Sequence, residues 1–496
     1  MRGWVDKHIT IVEYALFLLF GTIFYVLLGD KWVSMEKDSQ FYINPGEHEG
    51  VMPLYPAFLR MMKVIMGAKY YLDGVVLVQS VLAIFCTMVF VLMLKKRFGL
   101  KVWEELLLYV ACMLPFSIYL PEVGITHQIM TEGISYALFY IFFITIIEAV
   151  WTTKYRWYLA SMMMAFVLGA TRSQMLFLQA ICLLILLWVT IKKFVGSIWR
   201  KIGICLAAFV IGIFLSYGTY KATYSVVAFY AHHQSLSEGF GSKAEEENVV
   251  NADGSGDVTE QSDDADADAN SAGVGSTNSQ LVTIIMSRGF YEAEQKDVDL
   301  FKDEMMREIF IRTYELADSE GKLYIYATPG LYMWEDLVHD KMMGYALQAV
   351  VEYDNLHPGE RARDISSISR ELGLRVLIRH FGRYIYHTIR LMIPSFIASV
   401  FFQVRPIYLL CHFIALFLYL FSVAGCVYVY RSKRNRICAE LMAVVLCTLI
   451  IMVVSVNLLF VGLQRYMVYG MGIFYCALYL LCKEILAAIQ QKRREK

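Results

Sequence analysis

Apolar runs of about 18 residues or more, nearly free of charge, alternate along the chain with short polar stretches. A run of that length is what a helix needs to cross about 30 Å of hydrocarbon. Ten are counted, at roughly 9–29, 74–94, 103–120, 131–151, 157–171, 173–191, 202–229, 406–430, 437–460 and 466–485. The pattern predicts an all-α polytopic membrane protein with about ten transmembrane helices. The fifth and sixth runs nearly merge, and they are read as two helices with a tight turn at Arg172. Fusing them would reverse the side on which every later loop falls.

Composition and charge support this reading. Of all residues 58% are hydrophobic and 18% charged, with a mean hydropathy of +0.50, whereas a soluble domain carries about a quarter charged. Basic residues concentrate in alternate loops: Arg2 and Lys7; Lys95, Lys96, Arg97 and Lys101; Lys154 and Arg156; Lys192, Lys193, Arg200 and Lys201; Arg431, Lys433, Arg434 and Arg436; and the tail 492–496. The positive-inside rule puts all of these, and both termini, in the cytoplasm. The segment 391–402 (LMIPSFIASVFF) must then lie in the interface or re-enter. No small-residue cleavage site precedes Asp30–Asp38, so the first run reads as an uncleaved anchor. The ten cysteines fall inside the runs or, for Cys438, at the cytoplasmic edge, which leaves no disulfide framework or cysteine zinc site outside.

The organisation follows from loop length. Residues 1–230 form an N-terminal transmembrane core that includes a first outer loop, 30–73; 231–282 are an acidic outer insertion; 283–404 are an outer, mostly helical subdomain; and 405–496 are the C-terminal helices and a basic tail. The insertion, with AEEE at 244–247 and DDADADA at 263–269, has almost no bulky apolar residue and reads as disordered. Its acids lack the ligand-and-glycine spacing of a calcium loop. In the subdomain, helical periodicity appears around 297–317, 334–353 and 364–390, with a β-like LYIYAT at 323–328. Arg379, His380, Arg383, His387 and Arg390 stand among aromatics in an interfacial pattern. No Walker-type or dinucleotide glycine motif and no HExxH occurs, so nucleotide-driven transport and nicotinamide chemistry have no support.

The first outer loop is the most informative stretch: KDSQFY at 37–42, NPGEHEG at 44–50 and MPLYPAFLRMMKVIMG at 52–67. Pro53 and Pro56 set up a short juxtamembrane helix whose apolar face, Phe58, Leu59, Met62, Val64 and Ile65, rests on the bilayer while Arg60 and Lys63 face headgroups. An Asp in this loop followed by a Tyr and a G-x-PLYP-like stretch (Asp38, Tyr42, Gly50, Pro53, Leu54, Tyr55 and Pro56) resembles the polyprenyl-phosphate-sugar-dependent glycosyltransferases of the GT-C fold. That family includes the protein O-mannosyltransferases and the bacterial aminoarabinose transferases. Further marks follow in the family's order: Thr131-Glu132 opening the fourth run, Thr171-Arg172 at the turn between the fifth and sixth, and Arg465-Tyr466 opening the last. Ser173 stands where the family has Pro. The likeness covers about 1–230 and 405–485 and omits the insertion and the outer subdomain.

The resemblance implies a GT-C-like fold and transfer of a sugar from a polyprenyl-phosphate donor to a glycan, lipid or protein acceptor at the outer face of the bilayer, within cell-envelope glycan assembly. No nucleic-acid partner is expected. Such transfer needs a base for the acceptor hydroxyl and cations for the phosphate leaving group. Asp38 is the candidate base, Arg172 and Arg465 are the candidate phosphate contacts, and Lys221 is a third. Tyr42, Tyr55, Arg60 and Tyr466 are the remaining candidate substrate contacts. Glu132, at the mouth of an apolar helix, either pairs with Arg172 or acts beside the donor. Glu47, His48 and Glu49 leave a divalent metal with Asp38 open, and Glu122 and His127 could reach the same cleft. The competing classes are a transporter or flippase and a polysaccharide polymerase. A transporter places ionisable residues or helix breaks near the midplane, whereas here the charges of the runs sit near their ends.

Overall fold

The computed structural model describes residues 2–27, 32–35, 39–43, 52–119, 124–193, 280–326, 339–358, 364–402, 407–432, 435–459 and 464–494, with isolated positions between 197 and 210. Its helices are α1 (Arg2–Thr22), α2 (Ser39–Ile43), α3 (Leu54–Phe98), α4 (Val102–Tyr119), α5 (Glu132–Thr152), α6 (Tyr155–Thr171) and α7 (Phe177–Lys193). After the insertion come α8 (Gln280–Phe290), α9 (Glu304–Ser319), α10 (His339–Leu356), α11 (Ile365–Arg379) and α12 (Phe381–Val400). The chain closes with α13 (Tyr408–Arg431), α14 (Arg436–Leu459), α15 (Gln464–Met467) and α16 (Met471–Arg494). Among the described residues, helix covers nine of the ten apolar runs, and the seventh lies almost wholly outside them. Five helices among the described residues are long and apolar enough to cross a membrane: those spanning Leu54–Phe98, Glu132–Thr152, Leu409–Arg431, Arg436–Leu458 and Val468–Arg494.

Sequence decides where each helix sits in the bundle. α5 is apolar on every face, so it can be covered on every face. Phe139, Tyr140, Phe142, Phe143, Ile146 and Ile147 are all buried in the main core, which α3, α6, α7, α14 and α16 share. α13 is equally apolar but peripheral, and it exposes Leu409, Phe413, Leu416, Phe417 and Leu420. α12 inverts the pattern of a water-soluble helix. It buries His387, Thr388, Ser395 and Ser399 and exposes Tyr386, Ile389 and Ile393, the distribution a hydrocarbon surround favours because polar groups there must find partners inside.

The charges near one end of the bundle are matched. Lys95 Nζ lies 2.6 Å from Glu13 and 3.0 Å from Glu105, Arg97 lies 2.6 Å from Glu148, and Lys483 lies 2.7 Å from Glu104. These pairs tie α1, α3, α4, α5 and α16 together. Glu132 stands sixteen residues before Glu148 on α5, about 24 Å away at 1.5 Å per residue, so the two ends of the bundle carry separate charge clusters.

The separation of the fifth and sixth runs holds. α6 ends at Thr171, Arg172 is extended (φ −152°, ψ 124°), a 3₁₀ turn covers Ser173–Leu176, and α7 begins at Phe177. Other expectations need correction. The juxtamembrane helix is the first part of α3, set off from the rest by non-helical Gly67 (φ 76°). Its expected single apolar face is split: Leu59 and Met62 pack inward, while Val64 and Ile65 are exposed. Bending back at Gly67 carries Met62 against Gly74, and only one side of the short helix can face that contact.

LYIYAT does not form a strand over its described residues. Tyr324–Tyr326 is a 3₁₀ turn, since among the described residues no strand is there to pair with and Leu323 is instead buried in the subdomain core. The pattern at 297–317 is a 3₁₀ turn, Gln295–Leu300, followed by α9. That at 364–390 divides at His380 (φ −107°, ψ 25°) into α11 and α12. Segment 391–402, expected to lie in the interface or re-enter, is continuous with the helix before it. Its first ten residues complete α12, whose Ile397, Ala398 and Val400 join the main core. The subdomain of α8–α11 has its own core, built around Met286, Phe290, Phe310, Ala346 and Leu372. There α8 crosses α11 at Gly289 and Gly373, so closely that a Cβ on Gly289 would fall on the Gly373 carbonyl oxygen.

Candidate functional site

At the end of the bundle opposite the Glu13–Lys95 cluster, two loops are stitched together. α1 ends in a π-helical turn, Ile23–Leu27. The Tyr25 carbonyl, at the helix end where intrahelical donors run out, accepts from Thr126 Oγ1 at 2.6 Å and Ser80 Oγ at 3.2 Å and lies 3.2 Å from His127 Nε2. Ser34 then bridges the second loop: its N–H donates to the His127 carbonyl at 2.9 Å and its carbonyl accepts from Ile129 N–H at 3.0 Å. Ser34, in the segment after α1, is thereby anchored beside the start of α5.

Gln79 of α3, fully buried, joins three elements. Its Oε1 accepts from the Tyr55 hydroxyl at 2.9 Å, and its Nε2 donates to the carbonyls of Thr126 at 2.8 Å and Gln128 at 3.1 Å. Gly133 permits this, because a Cβ there would lie 2.5 Å from the Gln79 amide carbon. The Tyr42 ring on α2 meets Tyr55 edge-on, with centroids 5.3 Å apart.

Arg172 is the centre of the cluster. Its Nη1 lies 2.5 Å from Glu132 Oε1, with both side chains almost wholly buried. Nη1 also donates to the Tyr469 hydroxyl at 3.3 Å and approaches Thr131 Oγ1 at 3.5 Å, and Nε donates to Gln174 Oε1 at 2.7 Å. The guanidinium lies over the Tyr466 ring at 4.8 Å and near that of Tyr469 at 6.0 Å, and Tyr42 is close enough to interact with it electrostatically. Glu132 sits in the first turn of α5, where the helix dipole favours a carboxylate. The guanidinium, hydrogen-bonded through Nε and Nη1, is thus charge-compensated by Glu132 and walled by aromatic rings.

The structure thus brings together Glu132, Arg172, Tyr42, Tyr55 and Tyr466 of the expected site residues. Arg60, on the same helix as Tyr55, is half-buried. Arg465 lies in α15, and its side chain, like Asp38, Lys221, Glu47, His48, Glu49 and Glu122, falls outside the described residues. His127 serves the loop junction. Among the described residues no three His, Cys, Asp or Glu side chains gather as metal ligands. Sequence reasoning missed Gln79, Gln174 and Tyr469. Tyr469 follows Tyr466 by three residues, a helical spacing that would have placed both on one face. Gln79 carried no signal beyond being a buried-run amide.

Comparison with protein-family models, with curated proteins and with solved structures finds no match to this chain. What the fold defines is an all-helical protein, among its described residues, with five helices able by length and composition to cross a membrane.

Proposed function

We propose that this protein is a membrane glycosyltransferase that moves a sugar from a polyprenyl phosphate to an acceptor hydroxyl at the membrane surface. The observation that carries the reading is the Arg172 guanidinium, held in a buried ion pair by Glu132 and walled by tyrosines. A guanidinium edge fits phosphate oxygens, and tyrosines offer rings and hydroxyls to a sugar. In this reading the acceptor hydroxyl gives its proton to the Asp38 carboxylate. The acceptor oxygen bonds to the sugar's anomeric carbon as the bond from that carbon to the phosphate oxygen breaks, and polyprenyl phosphate leaves with the electron pair. Arg172, with Arg465 and Lys221 as further cations, stabilises the leaving phosphate. Glu132 keeps Arg172 aimed and compensated before the donor arrives. The placing of helix charges in end clusters rather than at mid-span supports surface chemistry over transport.

The test is to incubate membranes containing the protein with a panel of polyprenyl-phosphate sugars and follow loss of sugar. Asp38→Asn should retain donor binding and lower turnover about 10²-fold or more. Arg172→Met should weaken donor binding instead. Full turnover in Asp38→Asn would remove that residue from the mechanism, and a panel left untouched by wild type would remove the reaction.

A further inference from the structure

The outer subdomain meets α12 through acid–base pairs in register. Asp297 lies 2.7 Å from His380, Glu294 accepts from Arg383 at 2.6 Å, and Glu292 Oε1 contacts His387 Nδ1. One cation of this junction stands outside that scheme. Arg288, near the end of α8, is 6% exposed, and no carboxylate among the described residues pairs with it. Its Nη2 donates to Thr388 Oγ1 at 2.7 Å and to the Asn457 carbonyl at 3.2 Å, and its guanidinium lies over the Tyr384 ring at 5.2 Å. Its Nε is buried with no partner.

A guanidinium stays protonated at any pH a protein meets, so it cannot shed its charge when buried. A buried charge without a counter-charge is strongly unfavourable, and two neutral acceptors and a ring do not neutralise it. Glu292 is close in sequence, but it gives Oε1 to His387, and its Oε2 is likewise unpartnered. We propose that Arg288 is the core of a second anion site, with Thr388 as its hydroxyl partner, and that the ligand is a phosphate group. The choice of phosphate follows from position. α12 exposes Tyr386, Ile389 and Ile393 as an apolar stripe next to the site, so the anions nearest to it are phosphate headgroups at a bilayer surface. Tyr384, half-buried and donating its hydroxyl to the Leu458 carbonyl at 2.8 Å, is the cover that such a group displaces.

The test uses the full chain purified in detergent, titrated separately with inorganic phosphate and with dihexanoyl phosphatidic acid, with dihexanoyl glycerol as the phosphate-free control. Wild type should bind a phosphate compound and ignore the control. Arg288→Met should weaken binding about tenfold or more, the loss of a charge-assisted contact, with Arg288→Lys intermediate and Thr388→Val reduced several-fold. Binding of the lipid alone identifies a headgroup, and equal binding of both compounds identifies a free anion. The proposal is overturned if neither compound binds, or if Arg288→Met binds like wild type. Should Arg288→Met fail to fold, wild-type affinity in both Arg288→Lys and Thr388→Val overturns it equally.

Discussion

Replacing Glu132 by glutamine keeps the volume and hydrogen-bonding capacity of the side chain but removes the charge that faces Arg172. Both partners are almost fully buried, at 7% and 3% side-chain exposure. Removing one member of a buried pair leaves the other as an uncompensated charge and costs about 3–5 kcal/mol. Arg172 keeps neutral contacts to Tyr469 and Gln174, so the low end, about 3 kcal/mol, is expected for Glu132→Gln. That is a large share of a total stability of about 5–15 kcal/mol. Arg172→Met should cost a similar amount by stranding Glu132. The double variant, with neither charge, should be less destabilised than the sum of the two by about 2 kcal/mol, within the range for residues in contact. Denaturant unfolding of the four proteins in mixed micelles measures this cycle. The functional reading adds a second limb. A phosphate-bearing donor supplies the missing negative charge, so it should raise the unfolding free energy of Glu132→Gln more than that of wild type. If Glu132→Gln unfolds within about 0.5 kcal/mol of wild type, as a surface change would, and the cycle shows no coupling, the pair is solvated and the reasoning fails.

Gly289→Ala places a methyl group on the backbone oxygen of Gly373, which no side-chain rotation can relieve. A loss of about 1–3 kcal/mol is expected, seen as faster proteolysis within 280–400, and wild-type resistance would refute the tight crossing. The Glu294 carboxyl is held at about 2, against an ordinary 4.5, by Lys296 first and then Arg383. A depressed acid contributes stability that is present above its ordinary value and lost as pH falls to the folded value. Wild type should therefore exceed Glu294→Gln in urea midpoint at pH 7, with the gap closing between about pH 4.5 and 2, and a gap that persists at pH 2 would contradict the assignment. On a cysteine-free background, single cysteines at Lys96 and Ser173 should label from opposite sides of the membrane, and labelling of both from one side would sink the separation of α6 from α7.

The helices were legible in the sequence because what makes them is one-dimensional: the length of an apolar run and the absence of charge within it. The break at Arg172 was legible for a similar reason, since a charged residue between two apolar runs and the basic loops on either side all lie along the chain. Even Glu132 and Arg172 could be singled out, because a charge at the mouth of an apolar helix calls for a partner. Which partner it finds is a matter of tertiary structure. Arg172 meets Tyr469 across 297 residues of chain, and Gln79 reaches Thr126 and Gln128 across 47 and 49, and no local pattern encodes such distances. α12 shows the same limit from the other direction. Its sequence was read as the end of a helical pattern reaching 390 and a following segment that lies in the interface or re-enters, yet 381–400 is a single helix, whose polar face found partners in α14 and in the subdomain of α8–α11. The chain by itself specified which segments become helix and where their charges lie; only packing, which chooses among partners far apart in sequence by shape and by the need to satisfy buried polar groups, decided which charges meet.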